Sequence, residues 1–180
     1  LNRYILSRPN DVEALYALGC ARMAMETPYR DYLYEARLRF QQLLVIDPGH
    51  LGASLKLLEV YDKTNQTSEM LDLANSVLSR TPAEPVAMRH AAIALTRLKR
   101  HPEARKAWEA LVAQTPGDVN AQSQLLIAMR ADGVEAQKVI EYAQKLVDEH
   151  PTDARFEIPL AVALRDAGRE SESLAVLRKL

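Results

Sequence analysis

The segments VIDPGH (residues 45–50), SRTPAE (79–84) and AQTPGD (113–118) repeat one pattern, and this pattern decides the fold. The proline is the fourth residue of each segment, so successive prolines are 34 residues apart. A fixed period of this kind predicts a pair of helices that is copied along the chain. Because such a pair cannot bury its apolar face alone, we expect the copies to stack and share a continuous core.

Two further prolines extend the series toward both ends of the chain. Pro9 precedes Pro48 by 39 residues, and Pro151 follows Pro116 by 35. Aligning the chain on these prolines predicts a single array over residues 1–180. Its predicted parts are a remnant or capping helix at 1–8 and repeats at about 12–50, 51–84, 85–118, 119–153 and 154–180.

Each repeat carries two apolar stripes at helical spacing. In the third repeat the stripes are Met88, Ala91, Ala92 and Leu95, then Ala104, Ala107, Trp108 and Leu111. The first repeat has the corresponding residues Leu15, Leu18, Gly19, Ala36 and Phe40, followed by Pro48. This pattern resembles the tetratricopeptide repeat (TPR) family, whose first helix carries a Leu-Gly or Leu-Ala pair and whose second helix carries Ala, an aromatic residue and Ala. The resemblance implies an all-α fold, a right-handed α-solenoid of about five antiparallel helix pairs with partial helices at both ends.

In each repeat a small residue at one core position is matched by a larger residue at a second core position. In TPR geometry the Gly/Ala position of the first helix packs against the aromatic position of the second. Small residues are matched by large ones in five pairs: Gly19 with Phe40, Ala92 with Trp108, Ala161 with Leu177 and, in the reverse sense, Leu58 with Ala74 and Leu126 with Ala143. A core of native density requires such an exchange, which supports the alignment.

Proline and glycine predict local features of the helix pairs. Pro159 falls inside the first helix of the fifth repeat, where it predicts a kink or a late start and leaves carbonyl groups near Arg155 without their usual partners. Gly133 and Gly168 fall in the turns between helices, where a residue with positive φ is often needed.

The composition excludes several classes of partner. The chain has 23 Lys and Arg against 24 Asp and Glu, a net charge of −1, whereas nucleic-acid binding needs a basic excess. No run approaches about 18 consecutive apolar residues, so we expect no membrane insertion. Cys20 is the only cysteine, which excludes an intrachain disulfide.

The sequence contains no constellation for catalysis. The four histidines, at positions 50, 90, 101 and 150, fall at different phases of the repeat, whereas a metal site needs three or four converging ligands. The six glycines are scattered and form no phosphate-binding loop. We therefore expect neither enzymatic activity nor a cofactor.

The resemblance implies that a partner binds along the concave face, which the first helices line. The residues at those positions carry a charge of 7 − 4 = +3, from Lys56, Lys63, Arg89, Arg97, Arg130, Arg155 and Arg165 against Glu13, Glu59, Asp62 and Asp166. This excess predicts an acidic, partly apolar protein or peptide as the partner. The residues expected to bind it are Tyr16, Lys56, Arg89, His90, Ile93, Arg97, Gln124, Ile127, Arg130 and Arg155.

One known use of such a face is not supported. Some TPR proteins hold the acidic C-terminus of chaperones with Lys and Asn on one first helix, Asn on the next, and Lys and Arg on the third. The first three repeats carry Tyr16 and Cys20, Lys56, then Val86 and His90 at these positions, so the clamp is not reproduced.

The sequence therefore predicts a protein-interaction scaffold that holds a peptide or protein segment in its concave groove. An alternative is a regulatory or substrate-recruiting TPR array of a larger enzyme whose catalytic domain lies elsewhere. A third interpretation is self-association through the unfinished ends of the array.

Overall fold

The computed structural model describes residues 8–25, 31–151 and 153–179. Within these residues ten helices follow one another and no strand occurs, which confirms the predicted all-α fold. The helices are α1 (Val12–Met23), α2 (Asp31–Ile46), α3 (Leu51–Lys63), α4 (Thr67–Arg80), α5 (Pro85–Arg97), α6 (His101–Gln114), α7 (Val119–Ala131), α8 (Ala136–Glu149), α9 (Ala154–Asp166) and α10 (Glu170–Leu177). The predicted helix at 1–8 lies, except for Arg8, outside the described residues.

The first helix of every pair is capped by the residue two places after a repeat proline. Asp11 Oδ1 accepts a hydrogen bond from the Ala14 N–H at 2.9 Å, and Asp118 Oδ1 accepts one from the Ala121 N–H at 3.1 Å. The other three caps are His50 Nδ1, Glu84 Oε1 and Asp153 Oδ1. Such a cap stabilises a helix by about 1 kcal/mol because it pairs an N–H that has no partner within the helix. The first helices consequently begin at residues 12, 51, 85, 119 and 154, where the aligned repeats begin.

The turn inside each of the last four pairs contains one residue with positive φ. These residues are Asn65 (55°), Lys99 (57°), Gly133 (73°) and Gly168 (75°), each the fifteenth of its repeat. The N–H groups of this residue and the next donate to the last helical turn, for example Lys99 to the Thr96 carbonyl at 3.1 Å. The prediction at the two glycines is confirmed. Asn65 and Lys99 were not predicted, because neither residue requires this conformation.

The chain divides into two compact units, Leu1–Ala94 and Leu95–Leu180. Unit 1 contains α1 to α4 and most of α5, and its buried core includes Leu15, Phe40 and Leu58. Gly19 packs against Phe40 so closely that a Cβ atom at Gly19 would lie 2.5 Å from Cε1 of the ring. This contact confirms the predicted exchange of a small residue against a large one in the first repeat.

Unit 2 contains the end of α5 and α6 to α10. Trp108 is buried, and its indole N–H donates to Thr96 Oγ1 at 3.1 Å. A buried cluster joins α7, α8 and α9 and includes the predicted pair of Leu126 and Ala143. Its members are Leu126, Val139, Ile140, Ala143, Leu146, Phe156, Leu160, Ala163 and Leu164.

In the fifth repeat the large residue of the predicted exchange, Leu177, is not buried. Ala161 is buried, but Leu177 is 45% exposed. The carbonyl of Ala161 instead accepts a hydrogen bond from Ser173 Oγ, at 2.7 Å. Leu177 thus remains on the surface of the last helix of unit 2.

Pro159 lies within α9 without delaying it. The helix begins at Ala154 and continues to Asp166, so the predicted late start is wrong. The carbonyl of Arg155, which would receive the N–H of residue 159 in a regular helix, accepts a hydrogen bond from Ser123 Oγ of α7 at 3.5 Å. A neighbouring helix therefore replaces the donor that proline lacks.

Candidate functional site: the exposed faces of the first helices

The ten predicted binding residues fall into two sets, because the chain divides within α5. Unit 1 holds Tyr16, Lys56, Arg89, His90 and Ile93, and unit 2 holds Arg97, Gln124, Ile127, Arg130 and Arg155. All ten lie on first helices or at their ends, namely α1, α3 and α5 in unit 1 and α5, α7 and α9 in unit 2.

Tyr16 is held by its neighbours in unit 1. The centre of its ring lies 6.1 Å from that of Phe40 and 5.1 Å from that of His50. Gly52 leaves room for the ring, since a Cβ atom there would lie 3.1 Å from the Tyr16 hydroxyl. Burial, and to a smaller extent the neighbouring Cys20, raises the pKa of the Tyr16 phenol, which therefore stays neutral and able to donate a hydrogen bond at ordinary pH.

Lys56 belongs to a chain of ion pairs along α3. Its Nζ lies 3.0 Å from Glu59 Oε2, and Lys63 Nζ lies 3.1 Å from Glu59 Oε1. Burial alone would raise the pKa of Glu59, but the hydrogen bonds from Lys56 and Lys63 bring it below its ordinary value. The Glu59 carboxylate is therefore ionised. It pairs with Lys56 and Lys63, two of the bases that were expected to attract an acidic partner.

His90 is buried and is not exposed on the surface of α5. It is 9% exposed, and its Nδ1–H donates to the carbonyl of Val86, one turn earlier in α5, at 2.8 Å. Arg89 and Ile93 are partly buried, whereas Arg97, in unit 2, is exposed. His90 thus serves the packing of its helix and offers little surface to a partner.

Two arginines of unit 2 link α7 to α9. The guanidinium of Arg155 donates to Asn120 Oδ1 at 2.6 Å and to both carboxylate oxygens of Asp153, at 2.8 and 2.5 Å. Arg130 Nε donates to Asp166 Oδ2 at 2.8 Å. The hydrogen bonds from Arg155 lower the pKa of the Asp153 carboxyl. Both arginines therefore have acidic partners within the chain.

Large apolar side chains lie exposed on the same two helices. Ile127 of α7 is 42% exposed and Ile158 of α9 is 53% exposed, while Gln124 is partly exposed. Ile158 was not among the predicted binding residues, although it lies on a first helix. The sequence does not reveal that Ile158 is exposed, because exposure depends on what packs against α9.

An apolar hollow lies between the last two helices of unit 2. A cavity of about 290 Å³ is lined by Ala161, Val162, Ser173, Leu174 and Leu177, together with Arg165 and Glu170. Leu174 is 53% exposed. This hollow lies between α9 and α10, the two helices of the last pair described.

The described part of the chain brings together no three His, Cys, Asp or Glu side chains that could hold a metal ion. None of the helices in the described ranges has the length and apolar character needed to cross a membrane.

Comparison with known proteins bears on the fold and on part of the chain. The family model of the bacterial transcriptional activator domain matches residues 118–180, which is less than half of the chain. No curated protein matches the sequence.

Solved structures match over nearly the whole length. MamA from Desulfovibrio magneticus RS-1, in a form that runs from residue 41 to its end, has a TM-score of 0.82 at 19% identity, with 94% of this chain and 93% of that one covered. Another MamA structure has a TM-score of 0.82 at 17% identity, covering 93% and 88%. YrrB, described as a TPR protein with an unusual peptide-binding site, has a TM-score of 0.81 at 15% identity, covering 99% and 89%. The chain therefore has the fold of the tetratricopeptide-repeat proteins.

Proposed function

We propose that this chain is a non-catalytic protein-interaction scaffold that binds a peptide or protein segment along the exposed faces of its first helices. The observation that carries the proposal is the pair of large apolar residues, Ile127 and Ile158, exposed on neighbouring first helices of a TPR fold. Exposed apolar residues on adjacent elements are typical of interaction surfaces. The likeness to YrrB, a TPR protein with a peptide-binding site, supports the same function.

The sequence predicted an acidic partner, and the ion pairs within the chain bear on that prediction. Lys56 and Arg130 pair with Glu59 and Asp166, which the excess of +3 already subtracts. Asp153, which pairs with Arg155, was not counted and lowers the excess to 7 − 5 = +2. A partner's carboxylate would have to compete with these internal acids. A partner held by charge would be released by salt and lost in Arg89→Glu or Arg130→Glu, which tests the acidic preference.

The scaffold function is tested with peptides displayed on phage and selected on the purified full chain. We expect selected peptides that bind in solution and compete with one another for a single face. Failure of every selected peptide to bind the chain in solution would overturn the proposal.

A second candidate is a regulatory module of a larger protein. The match of residues 118–180 to the bacterial transcriptional activator domain supports it. This function requires the chain to recruit other proteins and does not require it to bind DNA itself. Fusion of the chain to an unrelated DNA-binding domain should raise transcription of a reporter gene, and an unchanged reporter would count against this candidate.

A further inference from the structure

We propose that unit 2 binds an uncharged, apolar segment of a partner protein, an inference that rests on the proposed function and names the chemistry of the partner. The site is a patch formed by Gln124 and Ile127 of α7 and by Ile158 and Val162 of α9, which we call the isoleucine patch. Ile127 and Ile158 are 42% and 53% exposed, and Val162 is partly buried. Single exposed apolar residues are ordinary, whereas a group on adjacent helices marks a binding surface.

The two helices of the patch are held side by side at both ends. Near their N-termini, Arg155 of α9 donates to Asn120 of α7 at 2.6 Å. Near their C-termini, Arg130 of α7 donates to Asp166 of α9 at 2.8 Å. Because these links join residues 35 and 36 positions apart, they set α7 and α9 in parallel and in register. The patch is therefore built on two helices whose relative position is fixed by polar links.

The residues of the patch lie between these links and on the same side. In α7 the step from Gln124 to Ile127 is three residues, and in α9 the step from Ile158 to Val162 is four. Side chains at such spacings lie on one face of a helix. The offset of 35 to 36 residues given by the links places Ile127 opposite Val162 and Ala163. Ile158 lies one turn before Val162 on α9, so Ile127, Val162 and Ile158 follow one another across the two helices.

The charges around the patch favour an uncharged occupant. Arg155 is bound by Asp153 at 2.5 Å, and Arg130 by Asp166 at 2.8 Å. Arg165, at the C-terminal edge, lies 4.0 Å from Asp166. An acidic segment would have to displace these carboxylates, and a basic one would meet three arginines. An apolar segment buries the isoleucines without disturbing either link, while the amide of Gln124 provides both a donor and an acceptor for its peptide groups.

The test combines peptide libraries with NMR of isoleucine methyl groups. The full chain carries ¹³C-labelled isoleucine δ1 methyls, assigned with Ile127→Leu and Ile158→Leu. The probes are three libraries of twelve-residue peptides (about the length that spans two helix pairs): one uncharged and apolar, one acidic and one basic. We expect the apolar library to bind most tightly and to shift the signals of Ile127 and Ile158. The signal of Ile46, 40% exposed on α2 of unit 1, should not move.

Variants then assign the binding to the patch. Ile158→Gln should weaken binding of the best apolar peptide roughly tenfold, because about half of the side chain is exposed and available for burial. Leu98→Gln is the control, since Leu98 is 39% exposed in unit 2 but lies in the turn after α5. Both substitutions are at exposed positions, and circular dichroism should show unchanged melting of each variant.

The outcomes separate this inference from the function on which it rests. Tighter, salt-sensitive binding of the acidic library would overturn the inference and leave the scaffold function standing. Shifts confined to other isoleucines, or equal weakening by Ile158→Gln and Leu98→Gln, would do the same. Absence of binding by all three libraries would overturn both.

Discussion

The hydroxyl of Ser123 donates to the carbonyl of Arg155 at 3.5 Å, between two successive first helices. In a regular α-helix this carbonyl receives the N–H of residue 159, which is proline here. Ser123 is itself buried, at 9% exposure, so its hydroxyl needs a partner within the protein. The Ser123 hydroxyl of one repeat thus donates to a carbonyl of the next repeat that has no N–H partner at residue 159, and both polar groups are hydrogen-bonded.

Replacement of this serine should destabilise the protein. Ser123→Ala leaves the Arg155 carbonyl without a donor from α7, and we expect a loss of about 0.5–1 kcal/mol in the free energy of unfolding, as for a weak single hydrogen bond. Urea denaturation followed by circular dichroism measures the change. The long donor–acceptor distance places the expected value at the lower end of the range for such bonds.

The control is the same substitution in a Pro159→Ala background. Alanine restores the N–H of residue 159 to the Arg155 carbonyl, so the serine hydroxyl is no longer required there. The cost of Ser123→Ala should then fall below about 0.5 kcal/mol, which makes the double-mutant cycle non-additive. Equal costs in both backgrounds would show that serine and proline are not coupled.

A methyl group at Gly19 should destabilise unit 1. The new Cβ would lie 2.5, 2.7 and 2.9 Å from three atoms of the buried Phe40 ring. Overpacking typically costs about 1–3 kcal/mol, while the higher helix propensity of alanine returns up to about 1 kcal/mol. We expect Gly19→Ala to lose about 1 kcal/mol net, measured by urea unfolding.

Two variants identify the ring as the cause. Adding Phe40→Leu to Gly19→Ala should cost less than Phe40→Leu alone, because the smaller side chain leaves room for the methyl group. Gly117→Ala, where no atom lies within 4 Å, should change the stability by less than about 0.5 kcal/mol. A stable Gly19→Ala variant with its full melting temperature would contradict the close contact.

The sequence predicted the fold because its signals are local and repeated. Each repeat proline is followed two residues later by a side chain that caps a helix, so one short phrase determines where a first helix begins. The contact of Gly19 with Phe40 was also predictable, since a volume exchange is visible in residue types alone.

The candidate site was less predictable because its properties arise between repeats. The bonds from Arg130 to Asp166 and from Arg155 to Asn120 join residues more than 30 positions apart, and neither has a sequence signature. Counting charges on the first helices gave their net charge but did not show that Lys56, Arg130 and Arg155 are each paired within the chain. His90 was assigned to the face by its position, yet it is buried, because position on a helix does not reveal what covers it.

Lys99→Gly should stabilise the protein. Lys99 has φ of 57°, a conformation that costs most residues roughly 1 kcal/mol and glycine nothing, and the side chain is exposed. The gain should be no more than about 0.5 kcal/mol, because the greater flexibility of glycine in the unfolded chain offsets much of the relieved strain. Thermal and urea denaturation measure it. Gly133→Ala, at φ of 73°, should show the opposite sign, and a loss in both variants would contradict this account.

The ion pair of Asp153 with Arg155 should make the start of α9 sensitive to acid. Hydrogen bonds from Arg155, with a smaller contribution from His150, lower the folded-state pKa of Asp153 below its ordinary value. A depressed folded-state pKa means that the carboxylate stabilises the fold above the unfolded-state pKa of about 3.9. This stabilisation is lost as the pH falls through the lower folded-state value.

Asp153→Asn isolates this contribution. Asparagine can still cap α9, but its neutral amide cannot form the ion pair with Arg155. The variant should therefore be less stable than the parent at pH 7. The difference should begin to shrink below about pH 4, where the carboxyl group of the unfolded parent takes up a proton, and it should vanish below the lower folded-state pKa. Urea unfolding at pH 7, 5, 4 and 3 measures the difference in stability directly. The contributions of the other acidic residues cancel in this difference, because both proteins contain them. A difference that stays constant over this range would show that the charge of Asp153 does not stabilise the fold.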